Sequence, residues 1–322
     1  MAEIKVCENT KPEEVEFIKK MAEESSLFCG EVESITYMPG GLTNRNFKTV
    51  VDGKPYAFRI AGEGTADYLN RPAERQAVHA IKDLGISPMF YYYDLETGSN
   101  ICGFCEGDTM KRPDFQTRPE ILKGAAEIIK KYHTSGIQQK GAFDPMVEIK
   151  SYLQWLKDRN CEKYYDGMDK LISTLETIDK NFEKNPPKKV CSHNDVLSEN
   201  FIYDSENDNL QLIDWEYCGM NIYSFDVAAV IIENKLNKEK EEEFLRYYYD
   251  GEPTERQRAD VLVGKFLVDA LWCPWALVQM LSKPKEEEEF YWNYGLERIT
   301  RCNEYMADPN FDRYVAMMAE AE

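Results

Sequence analysis

Cys191-Ser-His-Asn-Asp-Val-Leu-Ser-Glu-Asn200, followed a hairpin's length later by Leu212-Ile-Asp-Trp-Glu-Tyr217, is the stretch whose reading decides the fold. It sets His193, Asp195, Asn200 and Asp214 in one order. Asp195 is a carboxylate able to orient and activate a hydroxyl. Asn200 and Asp214 are hard oxygen donors suited to magnesium. Phosphoryl transfer needs such parts: an acceptor in position, a metal beside the phosphates, and developing charge neutralised. Five residues separate Asp195 from Asn200, so one loop can aim both side chains. Residues 201–213 read as a hairpin that returns Asp214 beside Asn200 over one metal. His193 falls where hydrogen bonds from its ring brace the loop. Each residue alone has an ordinary explanation, because Asn and Asp cap turns and a loop His is often merely satisfied. The joint order carries the reading. Glu216 stands close enough to the pair to contribute through water.

Working outward, the chain has 322 residues, enough for two domains, and 43% of them are hydrophobic, which supplies a large core. The formal charge is −19, which argues against nonspecific binding to nucleic acid or an anionic membrane surface and weakly favours a cationic small substrate. Cys102 and Cys105 form a C-x-x-C spacing with no second pair nearby, so the nine cysteines read as reduced thiols rather than as a zinc or disulfide framework. The N-terminus lacks an apolar signal region, and no run of about 18 apolar residues exists, so the expected location is the cytoplasm without membrane insertion. Nothing in the sequence sets an oligomeric state.

Periodicity divides the chain near residue 107. A helix is expected over 12–28, then strands over 32–37, 47–51 and 56–60, joined by Asp52-Gly53 at the second turn. A helix opens at Pro72 and stops at Gly85, and two further strands flank Glu96-Thr-Gly98. Beyond a crossover at 107–118, residues 119–133 and 149–181 read as mostly helical, as does the chain after 213. The expected class is α+β and bilobal: a small antiparallel-sheet lobe over 1–107 and a larger, mostly helical catalytic and substrate-binding lobe over 108–322.

Gly40-Gly41 joins two strands at a polar tip, Thr43-Asn44-Arg45-Asn46, where glycine lets backbone amides approach phosphate oxygens. Arg59 lies mid-strand and needs a partner, which Glu74 in the following helix supplies. These residues together would fix a nucleotide phosphate. The stretches Pro39–Phe47, Phe58–Ile60, His193–Asp195 with Asn200, Ile213–Tyr217, Asn221 with Phe225–Ala228, and Trp272 with Trp275 resemble the choline/ethanolamine kinase family, within the protein-kinase-like phosphotransferases. Asn194 in particular stands where the related aminoglycoside phosphotransferases usually carry Gly. The resemblance implies ATP and Mg2+ as cofactors. It makes Asp195 the catalytic carboxylate, Asn200 and Asp214 the metal ligands, Arg59 with Glu74 the phosphate-binding pair, and Asp226 a support of the catalytic loop. The adenine would lie along 104–107. Glu199, where the family usually has Gly, is a departure.

Choline offers a primary hydroxyl and a quaternary ammonium, which calls for ring faces and a carboxylate. Glu233 follows Asp226 by two helical turns and is the expected counter-charge, while Trp272 and Trp275 flank Pro274 and can converge. The resemblance places an acidic residue and tryptophans at these three positions in the choline pocket, and Tyr247-Tyr-Tyr249 can add a wall. The expected function is therefore a choline kinase making phosphocholine. The alternatives are a kinase for ethanolamine, an aminoglycoside or a sugar, or a ligand-binding pseudokinase without turnover.

Overall fold

The computed structural model describes residues 4–25, 28, 31–39, 44–62 and 71–321. The chain forms two compact units. The first comprises 1–110 together with 139–141 and 199–219; the second comprises 111–138, 142–198 and 220–322.

The N-terminal run of the first unit is β1 (Lys5–Val6), α1 (Pro12–Glu24), β2 (Val32–Met38), β3 (Arg45–Val51), β4 (Lys54–Ile60), α2 (Arg71–Ile81), β5 (Phe90–Tyr93), β6 (Asn100–Gly103) and β7 (Asp108–Thr109). Six of these strands form one sheet in the order β1-β2-β3-β4-β6-β5. All its pairings are antiparallel except that of β1, which runs parallel to β2. The β3–β4 connection is a two-residue turn with φ of 51° at Asp52 and 70° at Gly53. That handedness matches strand twist, so Val51 pairs with Lys54 without slippage. Alternate β3 residues Phe47, Thr49 and Val51 point into the core. Phe47 and Val51 share one core cluster with Ile18, Met21 and Ala22 of α1, Ile35 of β2, Phe58 of β4 and Ile101 of β6. Helix α1 ends at Glu24, short of the expected residue 28, with the Ser25 hydroxyl donating to the Ala22 carbonyl at 2.7 Å.

The chain continues through α3 (Arg112–Thr117), α4 (Pro119–His133), α5 (Pro145–Asp158), α6 (Met168–Lys184) and β8 (Lys189–Ser192). Strands β9 (Phe201–Asp204) and β10 (Asn209–Leu212) follow, and they complete the first unit by forming a three-stranded sheet with β7. Then come β11 (Gly219–Ile222), α7 (Tyr223–Glu233), α8 (Lys238–Tyr249), α9 (Glu255–Ser282), α10 (Glu288–Met306) and α11 (Phe311–Met317). The expected continuous helical stretch over 149–181 is instead two helices, parted where Asn160 and Gly167 take φ of 51° and 92°. Helix α9 is 28 residues long and apolar enough to cross a membrane, yet 78% of its most apolar window is buried in this fold. It is the core helix of the second unit, packed on α5, α7, α10 and α11.

Candidate active site

Arg59 leaves β4 one residue before its end, on the same sheet face as Asn46 of β3 and Asn100 of β6, its direct cross-strand partners. Its guanidinium pairs with Glu74 and donates to the Gly98 carbonyl at 3.2 Å. With its amide oxygen turned toward the guanidinium, Asn100 accepts from Arg59 Nη2 at 2.8 Å and Nε at 2.9 Å. Glu74 is in turn held by Tyr93 and by Arg71 at 3.0 Å. Gly98 is required here. Its φ is +82°, and a Cβ would run into the Arg71 guanidinium. Burial alone would lower the Arg59 pKa, but the carboxylates of Glu74, Asp214 and Glu216 outweigh it and raise it above its ordinary value. Arg59 is therefore a permanent buried cation ringed by carboxylates.

The β9–β10 hairpin pairs Phe201 with Leu212, and the Ile213 amide donates to the Asn200 carbonyl at 2.9 Å. Asn200 and Asp214 are thus brought to the open end of one hairpin. Asp214 takes φ of 65° and its carboxylate accepts from Arg59 at 3.5 Å. An amide oxygen and a carboxylate so placed fit a hard cation such as magnesium. Glu216 is buried next to them and accepts from Asn44 Nδ2 at 3.1 Å. Burial, then the Asp214 charge, push its carboxyl up to about 7, against the opposing pull of Arg59 and Asn44. The other end of the Asn44 amide accepts from Gly62 at 3.3 Å. Both ends of the amide are therefore engaged inside the protein. Gly40, Gly41 and Thr43 lie outside the described residues. Glu199 is exposed.

In the second unit, Asp226 of α7 organises the loop that carries Asp195. It accepts the backbone amides of His193 at 2.7 Å and Asn194 at 2.8 Å, the Tyr132 hydroxyl at 2.7 Å, and His133 Nε2 at 3.3 Å. Burial would raise the Asp226 pKa; these hydrogen bonds, with the charge of His133, outweigh it and hold the carboxyl below its ordinary value. His193 Nδ1 accepts the Asp195 amide at 3.2 Å. Asn194 sits at φ of 69°, and its side-chain oxygen accepts from Asn221 at 2.8 Å. That φ gives a physical reason for Asn or Gly at this position. Asp195 is half-buried.

Trp272 and Trp275 converge on one side of α9, with ring centroids 5.4 Å apart at 87°. Trp275 also meets Tyr291 at 6.0 Å and 74°, and Tyr294 at 5.7 Å and 64°, so half-buried rings stand steeply against one another. The tyrosines come from α10. Tyr248 packs elsewhere, with its hydroxyl on His133 at 2.8 Å. Glu233 is buried, but its carboxylate is gripped by Arg298 at 2.6 and 3.1 Å, which neutralises the expected counter-charge. Arg298 reaches the Tyr294 hydroxyl at 2.7 Å and lies over its ring, linking Glu233 to the aromatic group. Sequence reasoning passed over Tyr291, Tyr294 and Arg298, although their i, i+3, i+7 spacing marks one helical face. It also passed over Tyr132 and His133 as partners of Asp226.

Burial pushes the Cys102 and Cys105 thiols each up to about 12, which disfavours the thiolate form. What remains is a sheet-borne cation ringed by acids and a braced Asp loop, on the α+β fold of the protein-kinase-like phosphotransferases. Within that class the family model for choline/ethanolamine kinase matches residues 35–303, and the chain belongs to this family; it is an ATP-dependent phosphotransferase. Ethanolamine kinase 2 of Homo sapiens is 34% identical over 246 residues, 69% of this chain and 62% of that one. The crystal structure of a choline/ethanolamine kinase family protein from Mesorhizobium loti superposes with a TM-score of 0.78 at 28% identity, covering 94% of this chain and 100% of that one. The crystal structure of choline kinase LicA from Streptococcus pneumoniae gives 0.71 at 28% identity, covering 91% and 99%.

Proposed function

We propose that this chain transfers the γ-phosphoryl group of ATP to the hydroxyl of choline, giving phosphocholine. The observation that carries this reading is the set of steeply crossed rings Trp272, Trp275, Tyr291 and Tyr294, whose faces suit a cation with no N–H to satisfy. The likeness to choline kinase LicA supports it. Asp195 orients the acceptor hydroxyl and takes its proton as the new O–P bond forms and the bond from the γ-phosphorus to the ADP oxygen breaks. His193 and Asp226 hold that loop in register. Arg59, fixed by Glu74, binds phosphate oxygens, with the amides of Gly40, Gly41 and Thr43 and with Asn46 on the same sheet face. Asn44 acts through Glu216 instead of touching phosphate. Asn200 and Asp214 would hold Mg2+, which when bound neutralises charge on the phosphates. The adenine lies along 104–107, just past β6. An ATP-consuming enzyme whose described cysteines are all free suits the cytoplasm.

Ethanolamine is the second reading, favoured by the human ethanolamine kinase 2 relative. The test is purified protein with ATP and Mg2+, following phosphate transfer to choline, ethanolamine, kanamycin and methylthioribose. Saturable phosphocholine formation with the highest kcat/KM is expected. Preferred transfer to another acceptor would keep the kinase chemistry and remove choline. Asp195→Asn is expected to lower kcat about 10²–10⁴-fold while choline still binds; undiminished turnover would remove Asp195 from its role.

A further inference from the structure

This inference rests on the amino-alcohol reading of the acceptor and concerns how the ammonium end is told apart. The carboxylates beside the aromatic group are already committed. Glu233 gives both oxygens to Arg298, at 2.6 and 3.1 Å. Asp269 accepts from Arg298 at 3.1 Å, from Arg301 at 2.6 and 2.8 Å, and from the Tyr305 hydroxyl at 3.1 Å. The Tyr294 oxygen accepts from Arg298 at 2.7 Å. Three acids, Glu233, Asp269 and Glu297, face Arg298, Arg301 and Lys235, so the network carries no net charge, and the oxygens of Glu233 and Asp269 are turned inward to guanidinium groups.

The consequence differs sharply for two classes of cation. A primary ammonium brings three N–H donors, each of which loses water on entry and needs an acceptor. A quaternary ammonium brings none and is held by ring faces alone. Near Trp275 the structure offers ring faces, while the carboxylates of Glu233 and Asp269 are turned to arginines and that of Glu287 is engaged by the Tyr291 hydroxyl. We infer that Arg298 is a specificity-determining residue: by neutralising Glu233 and turning both of its oxygens inward it weakens the acceptor a primary ammonium requires and leaves the ring faces to select a quaternary one. Arginine suits this task because its planar fork occupies both carboxylate oxygens at once. Lysine is a point charge and releases one of them.

The inference is tested by tryptophan emission, titrating the full chain with tetramethylammonium and, separately, with methylammonium. Neither probe has a hydroxyl, so the ratio is read whether or not phosphoryl transfer occurs. The wild type is expected to bind tetramethylammonium at least tenfold more tightly. Arg298→Lys, checked for cooperative melting, is expected to narrow that ratio about tenfold by returning one Glu233 oxygen to the site. The same shift is expected in kcat/KM across ethanolamine, its mono- and dimethyl derivatives, and choline. Equal binding of the two probes by the wild type, binding of neither, or an unmoved ratio in folded Arg298→Lys would overturn it. Should that variant not fold, the paired replacement Arg298→Met with Glu233→Gln removes both charges together. It is expected to keep tetramethylammonium affinity within about threefold; a loss of tenfold or more would make the Glu233 charge the recogniser and sink the inference. Absent phosphocholine formation with the binding ratio intact would instead fault the proposed reaction.

Discussion

At the scale of single residues, Asn194 shows how a backbone requirement becomes visible as residue choice. Its φ of 69° lies in the left-handed region, where Gly is free and Asn is tolerated. Asn adds a side-chain acceptor for Asn221, which Gly lacks. Asn194→Gly should therefore keep the loop with a small loss of stability and modest loss of kcat. Asn194→Ala should cost about 1–2 kcal/mol more, from strain at that φ. Melting temperatures of the two variants decide it, and an Ala variant as stable as the Gly one would show that the loop can relax. The order of His193, Asp195, Asn200 and Asp214 was legible because polar side chains at fixed spacing leave their types in the sequence. The neutralisation of Glu233 was not legible, because Arg298 lies 65 residues further on and only packing brings it in. Likewise, Asn44 reads from sequence as a phosphate ligand, but long-range contact ties it to a carboxylate 172 residues away.

At the scale of elements, α7 acts mainly through one side chain. Asp226 collects two backbone amides, a tyrosine hydroxyl and a histidine, which together hold its pKa below the ordinary value. A carboxylate depressed in the folded state adds stability that is complete above its unfolded pKa and is lost as pH falls through the folded one. Asp226→Asn removes that contribution and turns an amide toward N–H donors, so a loss on the order of 3 kcal/mol is expected at pH 7. The gap between wild type and variant should shrink as pH falls below about 4, a range set by the ordinary carboxylate pKa. Urea melts at pH 7, 5 and 3 would show this, and a gap independent of pH would mean the carboxylate's charge is not what the loop uses. Among elements, the Asp52-Gly53 hairpin and the Pro119–His133 helix were legible because turn chemistry and apolar period are local signals. Strand β1 was not, since its two residues, Lys5 and Val6, are too few to carry a period and are strand only by pairing with β2. The break over 159–167 was also hidden, because apolar helical periods flank it on both sides and only the backbone at Asn160 and Gly167 marks it.

At the scale of the whole molecule, the formal charge of −19 is a standing repulsion that the fold must contain. Salt at 0.15 M screens charges beyond about 8 Å, so stability should rise with ionic strength as long-range repulsion fades faster than the short buried pairs around Arg59 and Arg298. Thermal melts in 20 and 300 mM NaCl are expected to shift upward by a few degrees; a downward shift would mean exposed ion pairs outweigh the net charge. The first compact unit also has a history. It draws residues 199–219 from far along the chain, including β9, which pairs with β7, and β10, which pairs with β9. A ribosome emits the chain in order, so the first 110 residues wait for about the next hundred before their second sheet can close. The nascent protein must therefore delay commitment: its N-terminal third cannot finish as an autonomous cassette, and exchanging that third between relatives would have to carry a distant hairpin with it.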